Sequence, residues 1–156
     1  MPIPPPPPPS ALPSIPVKAG VPCIEKQCSL CCHDIEMLLT NDDLRRLAQH
    51  RPGETFWFEA DDGYLQLKTR DGPAARGGAG RPCWFLRDDG LCSVHDVRPE
   101  GCRLYPAVWA EDLRTTIFDD EYCPHTEGFL LPPRTGDAVK RLVERLQAER
   151  RQRLAT

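Results

Sequence analysis

The chain has 156 residues, a formal net charge of −3 and a hydrophobic fraction of 40%. No run of about eighteen apolar residues occurs, which excludes a helical membrane span, and the slight acidity removes any general pull towards nucleic acid. Eighteen prolines and eleven glycines order much irregular backbone while burying little, so something besides apolar packing is expected to stabilise the fold.

Residues 1–20 read as a disordered, partly polyproline arm, because Pro2, Pro4 to Pro9, Pro13 and Pro16 deny the backbone its donors and its helical freedom. The opening Met1-Pro2-Ile3 has no basic or apolar leader pattern, so the expected location is cytoplasmic, where thiols stay reduced. Residues 21–130 form the expected cysteine-cluster domain. Within it, Ile35 to Leu39 reads as a short strand, and Thr40 opens a helix as a capping residue, with Asp43 three positions on. Leu44, Leu47 and Ala48 give that helix an apolar face, and Pro52 ends it. Phe56-Trp57-Phe58 and Tyr64 to Leu67 flank Asp61-Asp62-Gly63 as a hairpin. Residues 71–81, rich in glycine and alanine, read as a mobile loop. A second hairpin is expected from Cys83 to Val94 around Arg87-Asp88-Asp89-Gly90, bringing Cys83 and Cys92 close. Arg98 to Pro106 reads as irregular, and Thr115 to Phe118 as a last strand. Residues 131–156 hold a carboxy-terminal amphipathic helix from about Asp137 to Leu154, expected to pack on the domain through Ala138, Val139, Leu142, Val143 and Leu146. Trp84, Trp109 and the Phe56 to Phe58 run are expected to form core around the metal sites.

The cysteines carry the chemistry. They fall into two sets, Cys23-x4-Cys28-x2-Cys31-Cys32 and Cys83-x8-Cys92-x9-Cys102-x20-Cys123. The two-residue separation of Cys28 and Cys31 is that of a metal knuckle, in which a tight turn aims both sulfurs at one ion. Cys32, adjacent to Cys31, is expected to point elsewhere. Eight thiolates suffice for two four-sulfur sites holding zinc, iron or an iron–sulfur cluster such as 4Fe-4S, and the spacing alone does not assign cysteines to sites. A structural zinc site contributes roughly 10–16 kcal/mol of apparent folding free energy. Net domain stability is only about 5–15 kcal/mol, so such a site can decide whether a chain folds. A four-thiolate site with a dication is dianionic and needs cations or donors around it; Arg98 and Arg103, with Arg81 and Arg87, are the candidates. His33, His95 and His125 neighbour cysteines and are weaker ligand candidates, while His50 reads as surface.

Cys28-x2-Cys31-Cys32, Cys83-x-Phe85-Leu86, Gly90-x-Cys92 and Arg98-Pro99-x-x-Cys102-Arg103-x-Tyr105-Pro106 together resemble the CxxCxxCC, or YkgJ-like, cysteine-cluster family over about residues 23–125. The resemblance implies chelation of zinc or iron through these same cysteines. Two departures stand out: the first spacing is four residues where the family has two, and His95 stands where the family has an aromatic ring, which reads as a packing position.

Other motifs carry less. Gly77-Gly78-Ala79-Gly80 lacks the lysine and hydroxyl of a phosphate loop. The arginines of the last helix read as a solvated face suited to a helix carboxyl end. The expectation is therefore a small, irregular, metal-stapled α+β domain with two short hairpins and two helices. Its metal is mainly structural or carried, with a protein partner the one kind left open. The alternative is an iron–sulfur enzyme, or an enzyme accessory, related to protein lysine methylases, which some chains with this cysteine pattern resemble.

Overall fold

The structure is a computed structural model and describes residues 28–119, Cys123 and residues 134–156; the proline arm, Cys23 and His125 lie outside the described residues. In chain order the elements are β1 (Leu38–Leu39), α1 (Asn41–His50), β2 (Trp57–Glu59), β3 (Leu65–Leu67), α2 (Glu100–Leu104), β4 (Ala107–Ala110), β5 (Thr115–Phe118) and α3 (Thr135–Leu154). Short 3-10 turns lie at Leu30–Cys32 and His95–Val97. Two small antiparallel sheets, β1-β3-β2 and β4-β5, combine with the helices in an α+β arrangement.

The entry to α1 is the capping box foreseen at Thr40. The Thr40 hydroxyl accepts from the Asp43 N–H at 3.0 Å, and Asp43 Oδ2 accepts from the Thr40 N–H at 3.0 Å. Two otherwise orphaned donors at the helix start are thereby satisfied. The first hairpin also forms, with Trp57 opposite Leu67, Phe58 opposite Gln66 and Glu59 opposite Leu65, while β1 adds on the far side of β3.

Strand alternation divides the apolar interior in two. Met37 and Leu39 join Leu47, Phe56, Leu65, Leu67, Phe85 and Val94 in one core, against which Cys83, Cys92 and Cys102 pack. Leu38, between them in sequence, faces the other way and packs with Tyr64 and Trp109 on a second core of Leu104, Ala107, Ala138, Val139, Leu142 and Leu146. α3 supplies most of that second core and lies across β4, β5 and α2.

Three arginines of α3 serve its docking. Arg145 pairs with Asp42 and Glu149, and Arg150 donates to the Asp62 carbonyl while stacking over Tyr64 at 5.2 Å. Arg153 donates to the Gly63 carbonyl at 2.9 Å and to Asn41 Oδ1 at 2.7 Å.

Several expectations need correction. The strand expected from Ile35 shrinks to two residues. The second hairpin reduces to a single bridge between Leu86 and Cys92, because Cys83 pairs instead with Thr69 and Pro82 with His33. The stretch read as irregular contains α2, making three helices rather than two among the described residues, and ends on a cis Tyr105–Pro106 bond. β4 was not foreseen and supplies the partner of β5. Phe58 is 41% exposed rather than core. Residues 71–81, read as mobile, are held by the hydrogen bonds set out below.

Candidate metal centre

The first cysteine run is shaped by a 3-10 turn, closed by the Cys32 N–H to the Ser29 carbonyl (3.0 Å) and the His33 N–H to the Leu30 carbonyl (3.1 Å). Buried Ser29 ties it to the glycine-rich segment, donating from its amide to the Gly77 carbonyl (3.0 Å) and from its hydroxyl to the Arg76 carbonyl (2.7 Å). Asp34, held at a φ of 52°, exchanges backbone and side-chain bonds with the Arg81 backbone at 2.8 and 2.9 Å. Gly78 and Gly80 permit this approach: a Cβ on Gly78 would collide with the His33 ring, and one on Gly80 with the Asp34 carboxylate.

His33 is consumed by the same contact. Its Nε2 accepts the Ala75 N–H at 3.0 Å and so carries no proton; Nδ1–H then donates to the Ser29 carbonyl at 2.8 Å. Both ring nitrogens are occupied, and the imidazole has no lone pair left for a metal. Its place in the structure is that of a buried strut.

The second cysteine set is brought to the first by the backbone. The Cys83 N–H donates to the Cys32 carbonyl at 2.7 Å, so the knuckle lies alongside Cys83 although fifty-one positions separate them in sequence. Cys92 follows on the short bridge to Leu86, and Cys102 sits on α2. Cys123, buried, is reached through its N–H bond to the Asp119 carbonyl (3.1 Å), while Asp119 Oδ2 accepts the Tyr105 hydroxyl at 2.9 Å.

Cys28, Cys32, Cys83, Cys92 and Cys102 are free thiols. Burial pushes Cys83 up to about 11, with Cys92 opposing its ionisation further. Burial likewise raises Cys92 and holds Cys102 well above the ordinary thiol range, and Cys83, Cys92 and Cys31 all oppose ionisation of Cys102. Cys102 is thus within electrostatic reach of Cys31, Cys83 and Cys92, thiols drawn from both sequence sets. Cys31 and Cys123 both act on Tyr105, whose hydroxyl is held protonated chiefly by burial.

These are soft donors that a cation would have to deprotonate, as thiolate-binding metals do. Among the described residues, no three His, Cys, Asp or Glu side chains already stand as a closed metal cage. The donor chemistry fits zinc or iron.

The two candidate outer arginines lie beside the thiols. Arg98 donates to the His95 carbonyl at 2.6 Å and favours ionisation of Cys92; Arg103 donates to the Asp96 carbonyl at 2.9 Å and more weakly to that of Arg98. The pair repel one another, and burial lowers the pKa of both. Arg81 and Arg87 instead pair with Asp71 and Asp89 at the surface. His95 is partly buried; its desolvation and the Arg98 charge push its pKa down, which favours the neutral ring.

A family model matches residues 22–124, that of the CxxCxxCC family, described as a putative zinc- or iron-chelating domain. The chain belongs to this family. Membership supports metal binding by a cysteine-cluster domain of the zinc- or iron-chelating kind, and the matched span takes in all eight cysteines. No curated protein and no solved structure matches the chain. Among the described residues, no helix is long and apolar enough to cross a membrane.

What sequence reasoning missed in this CxxCxxCC chain is the support around the thiols: Ser29, His33, Asp34 and the Asp43–Arg46 pair. For the last pair a signal existed, since an aspartate and an arginine three apart on a helix can meet.

Proposed function

We propose that the protein holds zinc or iron through its cysteines, with the metal structural or carried for a partner. Cys31, Cys83, Cys92 and Cys102 are the ligands proposed for one four-thiolate site. The observation that carries this is that Cys31, Cys83 and Cys92 all bear electrostatically on Cys102, while the Cys83 N–H is bonded to the Cys32 carbonyl, although these residues come from both ends of the domain. Cys23, Cys28, Cys32 and Cys123 are the remaining ligands proposed, for a second site. Arg98 and Arg103 are proposed to offset the charge of the thiolates, a role supported by Arg98 favouring ionisation of Cys92. A cation in the first site would convert Cys83, Cys92 and Cys102, whose ionisation burial opposes, to shared thiolates, and its loss would remove a cross-link between distant segments of the chain.

The test is elemental analysis with a visible spectrum, on protein purified without oxygen. One or two zinc or iron ions per chain, reduced by at least one in Cys102→Ser, is the expected result. Full metal content in that variant, with an unchanged melting transition, would remove Cys102 from the ligand set. A brown sample containing iron and acid-labile sulfide would favour the redox cluster and the methylase-related alternative.

A further inference from the structure

Cys92 and Cys102 are joined by chain with little regular structure, a 3-10 turn followed by Arg98 and Pro99 and then by a five-residue helix. A cation draws both into one sphere at a lower ordering cost when the backbone between them is already fixed. Two buried side chains of α1 fix it. Arg46 donates from Nε to the Val97 carbonyl at 3.3 Å and from Nη2 to the Arg98 carbonyl at 3.0 Å. The same Nη2 meets Asp43 Oδ1 at 2.8 Å, and that oxygen also accepts the Glu100 N–H at 3.0 Å. Backbone groups of three residues between the two cysteines therefore end on one ion pair. The pair is locked in turn to the helix start, because the other Asp43 oxygen closes the capping box.

Asp43 is 1% exposed and Arg46 8% exposed. A buried ion pair is a poor device for stability alone, since desolvating both charges costs about as much as their attraction returns. What it supplies here is place. The planar guanidinium fork reaches two successive carbonyls at a fixed angle, which a lysine ammonium cannot reproduce.

We infer that Asp43 and Arg46 are positioning residues for the metal centre, holding residues 97–100 so that Cys92 and Cys102 present their sulfurs to the same ion. The inference rests on the reading that these cysteines bind zinc or iron.

The experiment uses the full, metal-loaded chain and follows metal transfer to a chromogenic chelator, alongside metal content and the melting temperature. Arg46→Met should release metal at least about tenfold faster than wild type, the scale of effects from residues that orient ligands. Arg46→Lys, keeping the charge but losing the fork, should fall between. Leu142→Ala is the control: it opens a cavity in the other core, which no cysteine of the site lines, and lowers the melting temperature, yet should leave the transfer rate near wild type. Equal rates in Arg46→Met and wild type would overturn the inference, as would a Leu142→Ala rate that rises as much as the Arg46→Met rate. If Arg46→Met does not fold, Arg46→Lys against Leu142→Ala decides by the same comparison. A wild-type chain carrying no zinc or iron would overturn the metal reading itself, an outcome distinct from a loaded wild type whose Arg46 variants behave identically.

Discussion

At the scale of single residues, the cysteine region is bordered by polar groups that water cannot reach. Glu100 is the clearest case: 7% exposed, its carboxyl is pushed from the ordinary 4.5 up to about 7, first by burial and then by the Asp43 carboxylate. Arg46, Arg103 and Arg141 offset only part of this. The folded chain therefore holds a proton on Glu100 at pH values where the unfolded chain has released it. The stabilisation is complete below about pH 4.5, declines as pH rises towards 7 and stays lost above that, a change on the order of 3 kcal/mol. Glu100→Gln removes the titration. Its urea midpoint should exceed that of wild type at pH 8, and the advantage should vanish near pH 4.5. A difference between the two proteins that does not vary with pH would show that Glu100 ionises normally in the fold. His33 makes the complementary point, since a histidine beside two cysteines is spent on backbone bonds rather than on a metal.

At the scale of elements, α1 serves two ends. Its capping box starts the helix locally, while the same Asp43 reaches fifty-seven residues along the chain to the Glu100 amide. The segment 71–81 shows how composition misleads about order. Gly78 and Gly80 permit close approach to His33 and Asp34 beside the cysteine run, and Ala75 within it is 3% exposed. Gly78→Ala would force a methyl group into the His33 ring, and overpacking of this kind costs about 1–3 kcal/mol. The expected outcome is a lower melting temperature and faster amide exchange at Ala75, whose N–H is the donor to His33. Unchanged exchange there would mean that the segment can shift without cost. The shortened second hairpin has a comparable origin: the Cys83 amide is taken by the Cys32 carbonyl, so it does not form a rung with the Cys92 strand.

At the scale of the whole molecule, the three-stranded sheet separates two cores of different duty. One contacts Cys83, Cys92 and Cys102; the other is built around α3. Leu142 belongs to the second and is 7% exposed. Leu142→Ala should cost about 2–5 kcal/mol of stability by leaving a cavity between α3 and the β4–β5 sheet. Because that core does not include the cysteines of the first, metal content per folded chain should match wild type. A variant that loses metal in proportion to stability would show that the two cores are one cooperative unit.

The sequence by itself determined the elements whose causes are local. The Thr40–Asp43 cap, the hairpin around Asp61-Asp62-Gly63 and the apolar stripe of α3 are written in neighbouring residues, and each forms. Membership of the CxxCxxCC family was legible for the same reason, as the spacing of cysteines with their flanking Phe85, Gly90, Pro99 and Tyr105 is a linear pattern. Only the tertiary structure decided which thiols share a neighbourhood. Cys31 comes within electrostatic reach of Cys102 through backbone bonds such as Cys83 to Cys32, and no periodicity encodes proximity between segments so far apart. It also decided that the arginines of α3 hold the helix down and that Arg46 reaches the chain before Cys102. A long flexible side chain takes whichever partner burial leaves to it, and burial is a property of the assembled fold.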